Sequence, residues 1–193
     1  MKIVFASSNQ GKVKELQKFL QEYAIEITPE KVDVEETGLT FVENALLKAR
    51  YASEKSGLPA IADDSGLEVM ALQGRPGIYS ARYAGMLATD TQNTDKLLQE
   101  LKDYPEDKRK ARFYCALVYL THALDPTPLI CCGSWEGTIL KAPQGKNGFG
   151  YDPVFYVPSE HCSAAELSSA KKNELSHRGK ALRQLVEKLP DKR

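Results

Sequence analysis

Residues 3–12 have the sequence IVFASSNQGK, which predicts a strand, a loop and the start of a helix. The apolar run at residues 3–6 is typical of a short buried strand, and residues 7–11 have loop composition. From Lys12 onward, apolar side chains recur at intervals of three and four residues, as they do on one face of a helix. A strand that leads directly into a helix favours an α/β fold.

The same alternation continues through the first third of the chain. We expect a second strand near residues 25–27, a helix over 39–55 and a third strand over 59–62. Gly57 and Pro59 are placed where a glycine and a following proline commonly end a helix. The resulting β-α-β-α-β order predicts a sheet with helices packed on its faces.

The middle and the end of the chain depart from this alternation. The remaining elements are expected as a strand at 67–70, a loop at 74–84, a helix at 91–101, antiparallel strands at 111–121 and 129–140, and a helical segment at 164–189. The prediction is therefore one α/β domain over residues 1–193, with a mixed sheet and a second lobe built on the middle hairpin.

Composition excludes several classes of protein. The 193 residues carry 26 basic and 26 acidic side chains, which argues against a general nucleic-acid binder because such proteins need a basic surface. No apolar run approaches the ~20 residues that span a bilayer, and the start becomes polar too soon for a signal peptide. The four cysteines contain no C-x-x-C pair, so we expect neither zinc nor disulfides and a cytoplasmic location.

The loop at residues 7–12 is a candidate phosphate site. It joins the end of a strand to the start of a helix, where free N–H groups and the positive end of the helix dipole suit an anion. Lys12 adds a full positive charge, and Ser8 or Asn9 can cap the helix. An ordinary helix cap explains this motif equally well, because the spacing is not that of a P-loop.

Carboxylates follow the predicted strand at 59–62. Asp63 and Asp64 are expected at the end of that strand, where open α/β sheets bind ligands, and a polar turn is the alternative. Adjacent residues of an extended chain point to opposite sides, so the two are expected to have different roles. Carboxylates suit Mg²⁺, and Glu36 either brings a further one or only precedes the next helix, where its charge is favourable with the helix dipole. Lys48 shares its helix face with Asn44, four residues earlier.

Two further segments can contact a nucleotide base. The glycine-rich loop at 145–153 contains Phe149 and Tyr151, either of which can stack on a base or pack into the core. The basic segment at 171–180 is either a solvated helix face or a cluster of hydrogen-bond donors. Side chains that donate to position 6 of a purine favour a keto oxygen, which accepts the hydrogen bond, over an amino group, which does not.

These motifs together describe a nucleoside triphosphate site, and the sequence resembles the inosine triphosphate pyrophosphatases. The matching stretches are SSNQGK at 7–12, EETGLTFVENALLKAR at 35–50, PAIADDSG at 59–66, PGIYSARYAG at 76–85, GFGYDP at 148–153 and SHRG at 176–179. They cover the chain in the order of the family, and one departure is Ser8, where many members have Gly. The resemblance implies an elongated mixed β-sheet flanked by helices, with two lobes and an active-site cleft between them.

The resemblance also implies the reaction, which is hydrolysis of ITP, dITP and XTP to the monophosphate and pyrophosphate. Asp64 is the implied catalytic base and, with Glu36, the implied ligand of the cofactor Mg²⁺. Asp63 either shares the metal or orients Lys48. The implied substrate contacts are Ser7, Ser8, Asn9, Gln10, Gly11 and Lys12 at the triphosphate, Lys48 and Ser65 nearby, and Phe149, Gly150, Tyr151, Asp152, Lys172, His177 and Arg178 at the base.

The resemblance further implies a homodimer whose partners are purine nucleoside triphosphates, with no nucleic acid and no membrane. Either the 76–85 segment or the middle hairpin can supply the dimer contact. Two rival functions remain, namely a pyrophosphatase for modified pyrimidine or ordinary nucleotides, and a nucleotide sensor without turnover. The carboxylates at 36, 63 and 64 argue against a sensor, which has no need to activate water.

Overall fold

The computed structural model describes residues 2–189, and within them seven strands form one sheet. The strands are β1 (Lys2–Ala6), β2 (Glu26–Glu30), β3 (Ala60–Val69), β4 (Lys110–Leu120), β5 (Leu129–Ile139), β6 (Phe155–Val157) and β7 (Cys162–Ser163), in the order β2-β1-β3-β4-β5-β6-β7. Strand β1 is parallel to β2 and β3, whereas β6 is antiparallel to β5 and β7. The predicted mixed sheet is confirmed.

The sheet is accompanied by helices whose ends follow local capping signals. They are α1 (Gln10–Gln21), α2 (Phe41–Ser56), α3 (Asp90–Glu100), α4 (Ser169–Leu175) and α5 (His177–Lys188). Asn9 caps α1 by accepting from the Lys12 N–H, and Thr40 forms a capping box with Glu43 at the start of α2. Gly57 ends α2 in the left-handed conformation, with φ of 69°. None of the helices within residues 2–189 is long and apolar enough to cross a membrane.

The chain divides into two compact units, each with its own apolar core. The first unit contains the chain up to Asp64, Cys115–Gly133 and the chain from Arg178 onward, and the second contains Ser65–Tyr114 and Ser134–His177. Leu16, Leu20 and Ile61 are fully buried in the first core, where side chains of α1 pack against the sheet. Leu67, Leu97, Phe113, Trp135 and Phe155 pack together in the second.

Strand β3 differs from the sequence prediction. We expected separate strands at 59–62 and 67–70 with a polar turn or ligand site between them, but residues 60–69 form one strand. Asp63 and Asp64 therefore lie inside a strand, and their placement at a strand end was wrong. The Asp-Asp-Ser-Gly sequence favours a turn locally. Tertiary contacts to both carboxylates outweigh that preference, as described below.

The end of the chain also differs from its prediction. The single helical segment expected at 164–189 is divided into α4 and α5, because Ser176 is extended, with φ of −67° and ψ of 157°. Strands β6 and β7, of three and two residues, were not predicted because they are too short to show a period. Helix α3 and strands β4 and β5 lie within one residue of their predicted bounds.

Candidate active site

The first unit brings two carboxylates to one lysine. Lys48 lies on α2, Asp64 lies on β3, and Glu36 lies in the loop that precedes α2. The Nζ atom of Lys48 is 2.9 Å from Oε1 of Glu36 and 3.1 Å from Oδ1 of Asp64. We call these three side chains the Glu36–Lys48–Asp64 cluster. Its members are 10–25% exposed, so the cluster is shielded but reaches solvent.

Asn44 holds this cluster in place. It lies one helical turn before Lys48, as the i, i+4 spacing predicts. Its Nδ2 donates to Oδ2 of Asp64 at 3.3 Å, and its Oδ1 accepts from the N–H of Gly38 at 2.8 Å. A Cβ at Gly38 would lie 2.5 Å from Cβ of Glu43, so this close approach requires glycine. Asn44 thereby fixes the loop that carries Glu36 against the strand that carries Asp64.

The electrostatics of the cluster favour a carboxylate that can accept a proton. Burial raises the pKa of Asp64, and nearby Glu36 raises it further, while Lys48 and Lys12 oppose this rise. Burial alone would lower the pKa of Lys48, but the charges of Asp64, Asp63 and Glu36 outweigh burial and raise it. Lys48 therefore remains charged, and Asp64 is a stronger base than an exposed aspartate.

Asp63 has different partners from its neighbour. Its Oδ2 is 2.9 Å from Nζ of Lys12 and accepts from Nε and Nη2 of Arg178 at 3.3 and 3.2 Å. Nη1 of Arg178 donates to Glu15 at 2.7 Å. We call these four residues the Asp63 network. Lys12 and Arg178, rather than Lys48, are thus the ion-pair partners of Asp63, and a role different from that of Asp64 stays a prediction.

In the buried Asp63 network, opposite charges strongly affect the pKa values of one another. Asp63 is 1% exposed and Arg178 is 3% exposed. Burial would raise the pKa of Asp63, but Lys12 and Arg178 outweigh it and hold that pKa well below its usual range. Burial would likewise lower the pKa of Arg178, yet Asp63 and Glu15 raise it. Glu15 was missed by the sequence analysis, although its position three residues after Lys12 places both on one face of α1.

The loop before α1 presents polar groups at a helix start. Ser7 Oγ accepts from the N–H of Asn9 at 3.2 Å, and Asn9 caps the helix. Ser8, Asn9 and Gln10 are exposed, whereas Gly11 is half-buried. Of the two predicted capping residues, Asn9 makes the contact. Phosphate binding by residues 7–12 stays a prediction, and the ammonium of Lys12 is already paired with Asp63.

The second unit has a cluster of its own, formed by Phe149, Asp152 and Lys172. Oδ2 of Asp152 accepts from the N–H of Phe149 at 2.8 Å and from Nζ of Lys172 at 2.6 Å. The same Nζ lies 4.5 Å from the centre of the Phe149 ring, in cation–π geometry. Gly148 has φ of 77°, and a Cβ there would collide with the Asp152 carboxylate. We call these three side chains the Phe149–Asp152–Lys172 cluster.

Two other residues predicted to contact the nucleotide base, Tyr151 and His177, interact with residues of the second unit. Tyr151 is buried, and its hydroxyl donates to the carbonyl of Ser80 at 2.8 Å. His177 is buried and stacks on Phe113, with ring centres 4.9 Å apart. The alternative in which aromatic side chains of this loop pack into the core therefore applies to Tyr151. The substrate roles of Tyr151 and His177 stay predictions.

Gly150 and Ser65 are the remaining predicted substrate contacts. The N–H of Gly150 donates to Oδ2 of Asp90 at 2.7 Å, and Asp90 is the first residue of α3. The sequence analysis missed Asp90, because sixty residues separate the two partners and no local pattern joins them. Ser65 is half-buried on β3, directly after Asp64. Its contact with substrate also stays a prediction.

The carboxylates of the Glu36–Lys48–Asp64 cluster have the chemistry of magnesium ligands, and magnesium binding by Glu36 and Asp64 stays a prediction. Glu36 and Asp64 already approach one positive charge, on Lys48, and both supply the oxygen ligands that Mg²⁺ prefers. Magnesium commonly takes one or two carboxylates and completes its shell with water and phosphate. Within residues 2–189, no group of three or more His, Cys, Asp or Glu side chains is arranged to hold a metal.

Known proteins match the chain over nearly its whole length. A dITP/XTP pyrophosphatase from Shigella flexneri is 58% identical over 192 residues, with 97% of this chain and 98% of the relative covered. A dITP/XTP pyrophosphatase from Photobacterium profundum is 56% identical over 194 residues, with 98% of each covered. The structure of a HAM1 protein from Coxiella burnetii superposes with a TM-score of 0.90 at 49% identity, with 99% of each chain covered.

The fold is thus that of an α/β protein of the HAM1 type, with a mixed sheet flanked by helices. The family model described as Ham1 family matches residues 3–188. The chain belongs to the Ham1 family.

Proposed function

We propose that this protein hydrolyses deaminated purine nucleoside triphosphates, namely ITP, dITP and XTP, to the monophosphate and pyrophosphate. Its relatives with 54–58% identity are dITP/XTP pyrophosphatases. The observation that carries the proposal is the Glu36–Lys48–Asp64 cluster, in which two carboxylates and an ammonium meet within 3.1 Å. This arrangement provides a base and positive charge at one place, as attack on a phosphate requires.

Asp64 is proposed as the general base of the reaction. Its raised proton affinity suits it to take a proton from water as that water attacks the α-phosphorus and pyrophosphate leaves. Asn44 holds the carboxylate in one orientation through its 3.3 Å hydrogen bond. Lys48, and Lys12 at the start of α1, supply positive charge for the phosphate oxygens. Mg²⁺, held by Glu36 and Asp64, would neutralise charge on the phosphates.

The second unit is proposed to bind the base. Phe149 is half-buried and presents an aromatic ring, while the ammonium of Lys172 is held by Asp152. Lysine donates hydrogen bonds and does not accept them, so it favours the keto oxygen of hypoxanthine or xanthine over the amino group of adenine. Gly150, Tyr151, His177 and Arg178 remain proposed contributors to base binding.

The experiment that tests the proposed function is a substrate panel. We expect pyrophosphate release from ITP, dITP and XTP to exceed that from ATP and GTP by at least about a hundredfold in kcat/KM. Omitting Mg²⁺ and adding EDTA should abolish release. Equal rates on all purine nucleotides, or a preference for a pyrimidine nucleotide, would favour the rival pyrophosphatase. Tight binding without any pyrophosphate release would favour the sensor.

Removal of the aromatic ring tests base stacking. We expect Phe149→Ala to raise KM for XTP by about tenfold, with a smaller effect on kcat, because stacking on one base contributes about 1–3 kcal/mol. Steady-state kinetics on XTP measure the change. Tyr23→Ala is the control, since Tyr23 is an exposed aromatic residue whose ring lies tilted against that of Phe19 in the first unit. An unchanged KM in Phe149→Ala would exclude the stacking role.

Two further properties stay predictions for this chain. One is the homodimer, with its contact at the 76–85 segment or at the hairpin of β4 and β5. The other is the cytoplasmic location.

A further inference from the structure

We propose that Lys48 serves as a built-in substitute for the metal ion, so that free Mg²⁺ must compete with the lysine for Glu36 and Asp64. The inference rests on the proposed function, because it takes those two carboxylates as the metal ligands. It adds that the protein favours a metal ion that arrives together with a phosphate chain.

The ammonium of Lys48 already lies between the two carboxylates. One ammonium lies 2.9 Å from Glu36 and 3.1 Å from Asp64, so a single positive charge already bridges the two carboxylates. Its side chain is 11% exposed, which leaves the pair weakly screened by solvent. A divalent ion placed between the same oxygens would meet the ammonium at close range, and like charges repel strongly where screening is weak.

The side chain of Lys48 is flexible enough to change its partner. The backbone of Lys48 is fixed within α2, but four flexible methylene groups connect its ammonium to that backbone. The ammonium can therefore turn toward another anion that comes within its reach. A triphosphate or pyrophosphate chain supplies such an anion, whereas a hydrated metal ion alone does not. Metal and phosphate should consequently bind with positive cooperativity, and part of that cooperativity should depend on Lys48.

Lys55 offers a matched comparison with Lys48 on the same helix. Lys55 pairs with Glu30 at 2.7 Å, but its side chain is 53% exposed, and this pair lies outside the Glu36–Lys48–Asp64 cluster. Lys55→Met removes the same charge from α2 as Lys48→Met does. Any effect of net charge alone should appear equally in both variants.

Metal binding without nucleotide tests the inference. We expect Lys48→Met to bind Mn²⁺, used as a spectroscopic substitute for Mg²⁺, about tenfold more tightly than the unchanged protein, and Lys55→Met to bind it as the unchanged protein does. Titration calorimetry and electron paramagnetic resonance measure the affinity, after circular dichroism has shown that each variant is folded. Lys48→Gln provides a second variant if Lys48→Met does not fold.

Inorganic pyrophosphate supplies an independent measurement. We expect pyrophosphate to increase Mn²⁺ affinity several-fold more in the unchanged protein than in the Lys48 variants, because only the unchanged protein has a lysine to be drawn away. Equal Mn²⁺ affinity and equal cooperativity in all proteins would overturn the inference. If Glu36→Gln still weakened Mn²⁺ binding, the proposed metal site would survive that result. If no protein bound Mn²⁺ and pyrophosphate release needed no metal, both the inference and the metal role would fail.

Discussion

Replacement of Asp64 by Asn is expected to lower kcat for XTP by about 10²–10⁴-fold, the usual contribution of a general base. The amide keeps the size of the carboxylate but cannot take a proton from water. It also removes one of the two negative charges that face Lys48 at 3.1 and 2.9 Å. The fold should persist, because Asn44 and Lys48 are part of α2, and the caps of this helix do not involve Asp64.

Pyrophosphate release under saturating XTP and Mg²⁺ measures the effect, with thermal unfolding as a check of the fold. Glu68→Gln is the matched control, because Glu68 lies on the same strand β3 and pairs with Arg112 at 2.6 Å outside the cluster. We expect the control to retain turnover within about twofold, as most substitutions away from a site do. A near-normal kcat in Asp64→Asn would show that another group is the base.

The fold was predictable wherever local signals determine the structure. The capping box of Thr40 and Glu43, the left-handed Gly57 and the apolar stripe of α1 all act within one or two helical turns. The continuous strand β3 was not predictable by the same route. The partner of Asp63 in the Asp63 network, Arg178, is 115 residues away in the sequence. No local pattern shows that such a charge is available to stabilise an aspartate inside a strand.

In the candidate site too, features set by local spacing were predictable, and contacts between distant residues were not. The shared helix face of Asn44 and Lys48 follows from their spacing, and the structure confirms that both contact Asp64. The opposite directions of Asp63 and Asp64 follow from the pleat of an extended chain. The cationic partner of each carboxylate depends instead on how α1, α2 and α5 pack. The partners of Asp63 and the contact of Gly150 with Asp90 therefore required the structure.

Replacement of Asp63 by Asn is expected to lower the free energy of unfolding by about 3 kcal/mol, because loss of one partner of a buried ion pair leaves the other charge uncompensated. Arg178 is 3% exposed and would keep only Glu15 as a carboxylate in the Asp63 network. Urea unfolding followed by circular dichroism measures the change. Glu30→Gln, which breaks the exposed pair with Lys55, is the control and should cost about 0.5 kcal/mol or less.

The dependence on pH separates this charge effect from a packing defect. The pKa of Asp63 in the folded protein lies below its value of about 3.9 in the unfolded chain, so the carboxylate stabilises the fold above about pH 4. That contribution is lost as the pH falls toward the folded pKa. The difference in unfolding free energy between the unchanged protein and Asp63→Asn should thus be constant above about pH 5 and shrink between about pH 5 and about pH 2. A difference that stays constant over this range would assign the loss to packing, since a shape defect does not depend on protonation of Asp63.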